Sequence, residues 1–358
     1  MKKQLMMIST IIALVLALLI LTSCGGNDSI QNIAEMHEAP NDLPNAEKYP
    51  DEDEDFDYDI ETQPEEESDV PVPEIPDMVT IGDNIISTSM EALKLSNEFL
   101  TEEELAPLKY MVNLTWLDLS GNAIIDLSLT PIPQMTNLTY LNLSTNRITD
   151  EYHRGIYFLE DISPLANLTN LTHLQLDRNY IQDISVLAGL TNLTDLDLTG
   201  NVIEDISALA GLTNLRHLQL GGMFNSIDLN YLANLTNLEI LKLGHSRIED
   251  ITPLANLTNL IWLDLSGNHS LRDITPLTGL TNLQILSLAN AAINDLTPLA
   301  GLTNLYRLNL DDLNWGNEPL TDLSPLASLP NLGVLSLFGH GNYITDWSPV
   351  AHVAQVFP

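Results

Sequence analysis

The sequence predicts an α/β solenoid, a fold in which short repeats stack along one axis. One phrase of 22 residues, LTNLTDLDLTGNVIEDISALAG in its copy from Leu190 to Gly211, recurs ten times with variation through the back three quarters of the chain. Most copies follow the previous one after 22 or 23 residues, and each carries the pattern L-x-x-L-x-L before an asparagine position. A fixed period of this length with this pattern is the signature of a leucine-rich repeat.

The first half of each repeat predicts a short strand. Leu196 and Leu198 flank Asp197, so leucine side chains alternate with an outward position, as a strand requires. Strands of successive repeats would pair in parallel on the concave face. Ten copies and a degenerate first repeat, with Met90 and Leu93 at strand positions, predict about 11 strands.

The second half of each repeat predicts a turn and a short helix. Asn201, after the strand, is expected to hydrogen-bond backbone groups of the buried turn. The phrase from Ile248 to Leu254 contains Thr252-Pro253, and a hydroxyl N-cap followed by Pro is a helix-start signal. Only about four residues remain before the next strand, which predicts 3₁₀ turns on the convex face.

Charge separates the chain into parts with different roles. There are 49 acidic and 13 basic residues, for a formal net charge of −36, which disfavours nucleic acid as a partner. Residues 24–77 are acidic and proline-rich and predict a disordered stalk. The expected organisation is a signal peptide at 1–23, the stalk at 24–77, an N-terminal capping region at 78–112, the solenoid at 113–346 and a C-terminal cap at 347–358.

The N-terminus predicts export and anchoring. Lys2 and Lys3 precede an apolar run that ends at Leu21, as in a secretory signal. Leu21-Thr22-Ser23-Cys24 resembles the lipobox of bacterial lipoproteins, which implies a lipid on Cys24 and cleavage before it. The expected location is then the extracytoplasmic face of a bacterial envelope, with the membrane contacted through the lipid. An uncleaved transmembrane helix is the alternative, with about 17 apolar residues near the lower limit for a span.

The repeat phrase resembles the internalin-type leucine-rich repeat of bacterial surface proteins, over roughly residues 90–357. The resemblance implies a curved solenoid whose concave sheet binds a protein partner, in adhesion or at the envelope. The chain departs from the pattern, because no internalin-type helical cap, immunoglobulin-like domain or cell-wall sorting motif is recognisable. The mode of binding can therefore carry over, but the identity of a partner does not.

The candidate binding residues are those that the strand pattern turns outward on the concave sheet. Exposed Trp, Tyr and Arg on a rigid sheet are typical of binding hot spots, although isolated surface aromatics are also common. An aromatic insertion at 151–160 is either a further binding loop or simple drift of the repeat. The candidate protein-binding residues are Trp116, Tyr140, His173, Gln175, Asp195, Asp197, His217, Gln219, Trp262 and Arg307.

Chemistry other than binding has little support in the sequence. Catalytic motifs are not recognisable, and His173 and His217, two repeats apart, would lie about 10 Å from each other, too far for one zinc ion. We therefore expect a monomeric binding protein without enzymatic activity, cofactor or metal. The alternative is a glycan- or calcium-dependent adhesion protein that uses the acidic column of Asp118, Asp197 and Asp264, which non-acidic residues separate.

Overall fold

The computed structural model describes residues 75–149, 156–222, 226–313, 319–339 and 343–358. All of them belong to one compact unit, residues 71–358. The predicted signal peptide, the lipidation site Cys24 and nearly all of the predicted stalk lie outside the described residues.

The described strands are short, and most contain three residues. The first two form an antiparallel hairpin, with Val79 and Ile86 buried beneath it. The strands are β1 (Met78–Ile81), β2 (Asn84–Ser87), β3 (Ala92–Lys94), β4 (Trp116–Asp118), β5 (Tyr140–Asn142), β6 (Arg147–Thr149), β7 (Ile156–Phe158), β8 (His173–Gln175), β9 (Asp195–Asp197), β10 (His217–Gln219), β11 (Ile240–Lys242), β12 (Trp262–Asp264), β13 (Ile285–Ser287), β14 (Arg307–Asn309), β15 (Val334–Ser336) and β16 (Gln355–Phe357).

One parallel sheet dominates the part of the chain that the structure describes. It has twelve strands, in the order β3-β4-β5-β8 and then β9 to β16 in sequence. The register has no slip: Leu196 of β9 pairs with Leu174 of β8 and Leu218 of β10, and corresponding residues pair along the whole sheet. The predicted α/β solenoid of leucine-rich repeats, with a parallel sheet and 3₁₀ turns, is confirmed.

The core is a stack of leucines and isoleucines contributed by every repeat. Leu193, Leu196 and Leu198 are at most 2% exposed, and Ile203 and Ile206 behind them are 1% exposed. Because each repeat buries its apolar side chains only against its neighbours, the stack is continuous from the first repeat to the last.

The predicted asparagine hydrogen bonds are confirmed. Asn201 is fully buried, and its Oδ1 accepts a hydrogen bond from Ile181 N–H at 3.0 Å. Its Nδ2 donates to the carbonyls of Leu176 and Leu198, each at 2.9 Å. The side chain of Asn201 thus forms hydrogen bonds with the backbone of two neighbouring repeats. The same role falls to Asn122, Asn146, Asn179 and Asn268.

The turns opposite the sheet are 3₁₀ helices, but the prediction of how they begin is wrong. Thr252 lies inside its turn and its side chain does not cap it; instead Asp250 Oδ1 accepts a hydrogen bond from Thr252 N–H at 2.8 Å. A carboxylate two residues earlier can reach that amide without adopting helical angles. The described turns are Glu103–Tyr110, Leu127–Leu129, Ile132–Gln134, Ser163–Asn167, Ser185–Gly189, Ser207–Gly211, Leu229–Leu232, Thr252–Asn256, Thr275–Gly279, Thr297–Leu299, Ser324–Ser328 and Ser348–Val350.

Both ends of the solenoid depart in detail from expectation. The last segment, expected to be a C-terminal cap, adds a twelfth strand to the sheet, because Val350 and Val353 are buried in the core and β16 pairs with β15. At the first repeat, Leu93 is buried as predicted, but Met90 is 40% exposed and lies outside β3.

Candidate protein-binding face

The outward side chains of the sheet form columns, because paired strands place corresponding residues side by side. We call the first residue of each strand the first column, the third residue the second column and the residue two positions later the third column. All ten predicted binding residues lie in the first two columns and are half-buried. We call the three columns together the sheet face.

An aromatic stack opens the first column. The rings of Trp116 and Tyr140 lie on adjacent strands, with centroids 4.7 Å apart and planes 14° from parallel. Tyr140 is also in contact with the imidazole of His173, at 6.1 Å and 34°. The Tyr140 hydroxyl donates a hydrogen bond to Gln175 Oε1 at 3.3 Å. Three flat side chains on three consecutive strands therefore stand as one rigid row.

The row continues as a bridge of two histidines and a carboxylate. His173 Nε2 lies 3.2 Å from Asp195 Oδ2, and His217 Nδ1 contacts Asp195 Oδ1 from the other side. Burial favours the neutral form of Asp195, but hydrogen bonds from His217 and Thr194 and the charges of both histidines outweigh it, so the pKa of Asp195 is lowered. Asp195 therefore carries its negative charge between two imidazoles.

The second column holds Asp197 in a different setting. Its neighbours in the column are Gln175 and Gln219, and its Oδ1 accepts a hydrogen bond from Thr199 N–H at 2.9 Å. Burial raises the pKa of Asp197, and the negative charge of Asp177 raises it further. Asp195 and Asp197 lie on one strand, but only the first has imidazoles in contact with it.

The other two predicted binding residues lie farther along the sheet. Trp262 is on β12, three strands beyond β9, and Lys242 Nζ lies 4.3 Å from its ring centroid. Arg307 is on β14, between Ile285 and Val334 in the first column. The sheet therefore brings together the residues of β4 to β10 and leaves Trp262 and Arg307 outside that group.

Two residues of the second column are more buried than their outward position indicates. Asn142 occupies an outward position of β5 but is only 9% exposed, and its Oδ1 accepts a hydrogen bond from Ser144 N–H at 2.9 Å. Asp118 is also buried, and Lys94 Nζ lies 3.5 Å from its Oδ2. Both residues lie in the column next to the stacked rings of Trp116 and Tyr140.

The acidic column of the alternative hypothesis does not form a cluster. Asp118, Asp197 and Asp264 lie on β4, β9 and β12, each separated from the next by at least two strands. In the described ranges, no group of three His, Cys, Asp or Glu side chains could hold a metal ion.

Membrane-spanning helices are also absent from the residues that the structure describes. None of the helices there is both long enough and apolar enough to cross a membrane.

The insertion at 151–160 is described only in part. Strands β6 and β7 pair as an antiparallel hairpin, and the ring of Phe158 stacks on Tyr180 of the next repeat, with centroids 5.8 Å apart. Tyr157 and Tyr180 remain exposed. The hairpin therefore packs on the turn after β8 and lies outside the columns of the sheet face.

Sequence reasoning missed several residues that shape the face. The prediction from the sequence does not include Lys242 as the cation over Trp262 or Asp195 as a bridge between two histidines. The signal was available, because strict register places Asp195 between His173 and His217. The buried Ser144 gave no such signal, since its surroundings depend on packing.

Comparisons with known proteins agree with this architecture. The family model for leucine-rich repeats, in two copies, matches residues 112–151, 169–211, 236–279 and 258–301. An internalin, InlF, from Listeria monocytogenes is 30% identical, with a TM-score of 0.58 over 76% of this chain and 89% of that chain. No curated protein sequence matches the chain.

Two more distant structures share the fold alone. A leucine-rich repeat protein from Leptospira interrogans is 23% identical, with a TM-score of 0.57 over 75% of this chain and 72% of that chain. The leucine-rich repeat ectodomain of the Arabidopsis receptor kinase HAESA, solved in complex with an IDA peptide hormone, is 24% identical. Its TM-score is 0.54, over 72% of this chain and 42% of that chain.

Proposed function

This chain belongs to the internalin-type leucine-rich repeat proteins, and we propose that it is a surface-anchored module that binds a protein partner through its sheet face. The leucine-rich repeat fold is a protein-interaction scaffold and is typically not enzymatic. In this proposal the sheet face is the binding site, Cys24 carries the lipid anchor, and the protein is located at the cell envelope.

The row of Trp116, Tyr140 and His173 carries the proposal. Aromatic side chains contribute large contact areas, and truncation of hot-spot residues removes most of the affinity of an interface. Here two rings are already stacked at 4.7 Å, so they lose little conformational entropy when a partner covers them. A pre-ordered aromatic patch on a rigid sheet is therefore well suited to bind a protein surface.

Polar groups around the row supply the rim of such an interface. Gln175 accepts a hydrogen bond from Tyr140, and the bridge at Asp195 continues the row with charged and polar atoms. An apolar centre with a polar rim is the usual anatomy of a protein interface. HAESA, which shares the fold, holds a peptide hormone, so the fold itself is compatible with a peptide or protein ligand.

Anchoring through Cys24 completes the proposal. Cys24 is the only cysteine of the chain and follows the apolar run and the lipobox-like Leu21-Thr22-Ser23. A diacylglyceryl group with two acyl chains gives stable membrane attachment, whereas a single chain gives only marginal binding. The acidic segment between Cys24 and the solenoid would then hold the sheet face away from the membrane surface.

The experiment isolates a partner protein in a pull-down with the purified protein and then measures the Kd of two double variants for that partner. Trp116→Ala with Tyr140→Ala removes the stack and should weaken binding by at least about 2 kcal/mol, roughly 30-fold in Kd. The control, Glu204→Ala with Glu249→Ala, changes two exposed convex side chains and should alter binding by less than about 0.5 kcal/mol. A partner that depended on the convex glutamates and ignored the aromatic pair would contradict the proposal.

A further inference from the structure

The sheet face contains one aromatic side chain for which the chain supplies its own cation. Lys242 Nζ lies 4.3 Å from the ring centroid of Trp262, and the negative charges of Asp197 and Asp264 attract the same ammonium group. Burial lowers the pKa of Lys242, and these two carboxylates oppose that effect. The cation over the Trp262 ring, with two carboxylates near it, is therefore supplied by the same chain.

A second aromatic and acidic combination lies around Tyr140. Burial and the negative charges of Asp118 and Asp177 raise the pKa of the Tyr140 phenol, so the local field disfavours a further negative charge. Burial likewise raises the pKa of Asp197, with a contribution from Asp177. We call the area of Tyr140, Asp177 and Asp197 the acidic window.

Cations close to the acidic window are engaged elsewhere or distant. Lys94 pairs with Asp118 on the neighbouring strand, and Lys242 lies over Trp262, where its charge offsets only part of the effect of burial on the pKa of Asp197. Arg178 Nε is 3.9 Å from Asp177, but its side chain is 73% exposed, and such exposed pairs contribute little. In the three outward columns of β5, β8, β9 and β10 the sequence has no lysine or arginine.

An unsatisfied hydroxyl beside the window is an independent sign of a missing group. Ser144 is 6% exposed, and its Oγ is the buried side-chain atom that has no hydrogen-bond partner in the described residues. Leu143 points into the core, so the alternation of the strand turns Ser144 outward, into the third column next to Asp177. A buried hydroxyl without a partner is unfavourable, and an N–H donor would satisfy it.

We propose that the acidic window receives a lysine or arginine side chain of the protein partner. The proposal rests on the proposed function and adds the chemistry of the residue that is recognised. Trp116 and His173 cover the two faces of the Tyr140 ring, so the acceptors for the basic side chain are the Tyr140 phenol oxygen, the carboxylates of Asp177 and Asp197 and the hydroxyl of Ser144. A basic side chain of the partner would bring N–H donors and a positive charge to these acceptors.

The test uses the purified full-length protein and two blocked hexapeptides of alternating glycine and arginine or glycine and citrulline. Citrulline keeps the planar shape of arginine without its charge. Calorimetric titration should show binding of the arginine peptide at least about fivefold tighter than binding of the citrulline peptide, since charge complementarity drives the contact. Equal affinities would overturn the proposal.

Matched charge variants separate the acidic window from the general negative charge of the chain. Asp177→Asn with Asp197→Asn removes two charges from the window, and Asp205→Asn with Asp250→Asn removes two from the exposed convex side. The first pair should weaken arginine-peptide binding at least about fivefold and the second less than about twofold. Equal losses would overturn the proposal, because long-range attraction would then explain the binding.

The variants are designed to keep the fold. Asparagine at 197 retains the oxygen that accepts the Thr199 N–H, and asparagine at 250 retains the one that accepts the Thr252 N–H. Circular dichroism spectra should therefore agree among the variants, which shows that each variant is folded. If a partner is lost from the Trp116 and Tyr140 double variant but is bound normally by the Asp177 and Asp197 variant, the proposed function stands and the basic-residue inference fails.

Discussion

Replacement of Asn201 by alanine should be one of the most damaging single changes in the solenoid. The side chain is fully buried and holds three backbone groups: Ile181 N–H at 3.0 Å, and the carbonyls of Leu176 and Leu198 at 2.9 Å each. Alanine would leave the Ile181 N–H and the Leu198 carbonyl without this partner, whereas the Leu176 carbonyl would keep its hydrogen bond from Asn179 Nδ2 at 3.0 Å. Because these groups belong to two neighbouring repeats, the change weakens the interface between repeats as well as one turn.

The magnitude follows from the number and type of these groups. A buried polar group without a partner costs about 1–3 kcal/mol, and an unpaired N–H is less well tolerated than an unpaired carbonyl. The amide and the one carbonyl left unpaired should together cost about 2–4 kcal/mol after partial relaxation. From the sequence alone we would expect only about 1–3 kcal/mol, because the pattern does not show that one side chain serves three groups.

Asn214→Ala is the matched control. Asn214 is exposed, and its Nδ2 donates one hydrogen bond, to the carbonyl of Thr191 at 3.0 Å. Since water can replace that bond, the control should lose less than about 1 kcal/mol. Asn201→Ser should fall between the two, because Ser246, at the same repeat position, donates to the carbonyls of Leu220 and Gly244 at 3.1 and 3.3 Å.

Urea unfolding followed by circular dichroism and by tryptophan fluorescence measures the free energies of unfolding. Agreement between the two probes is needed, because long repeat arrays can unfold in parts. Hydrogen exchange of the Ile181 amide provides a local measure, and its protection should fall in Asn201→Ala while remaining unchanged in Asn214→Ala. Equal losses of stability in the two alanine variants would refute the assignment of the buried asparagine bonds.

Three further predictions follow. Cys24→Ser should move the protein from the membrane fraction to the soluble fraction, and unchanged pelleting in cell fractionation would contradict the lipid anchor. Asn142→Ala should cost about 1 kcal/mol in urea unfolding, because it removes the acceptor of the Ser144 N–H, and no measurable loss would contradict its burial. Hydrogen bonds from the hydroxyl and amide two residues on lower the pKa of Asp250 and Asp273, so their stabilisation is present above about pH 4 and is lost as pH falls through the lowered values. The Tm should therefore decrease as the pH falls below about 4, and Asn at both positions should make that decrease smaller; an unchanged slope would contradict the prediction.

The repeat pattern predicted the fold because it expresses local chemistry. Leu196 and Leu198 alternate with Asp197, and a single register then follows, since a slip by one residue would expose the leucines. The same register predicts the columns, so the pattern alone places Trp116 and Tyr140 side by side on adjacent strands. The role of Asn201 was predictable for the same reason, because a buried turn must satisfy its backbone groups.

Other features depended on side-chain conformation rather than on register. A register cannot indicate that Lys242 bends over Trp262 while Lys94 pairs with Asp118, since either lysine could reach either partner type. It also cannot indicate that Asp250, rather than Thr252, would cap the turn. The alternative side-chain arrangements differ in free energy by only about 1 kcal/mol, and that difference depends on burial and geometry. A residue pattern does not specify either of them.

The sequence by itself determined the solenoid, its parallel sheet, its period and the residues that face outward, because a strict repeat leaves each leucine only one way to be buried. Tertiary structure alone decided which outward residues act together. It placed Asp195 in contact with two histidines, left Asp177 and Asp197 as an acidic pair, buried Asn142 beside stacked rings and left Ser144 without a partner. The physical reason is that burial of apolar side chains is set by their spacing along the chain, whereas the energy of a charge or a hydroxyl is set by the few atoms within a few ångströms of it.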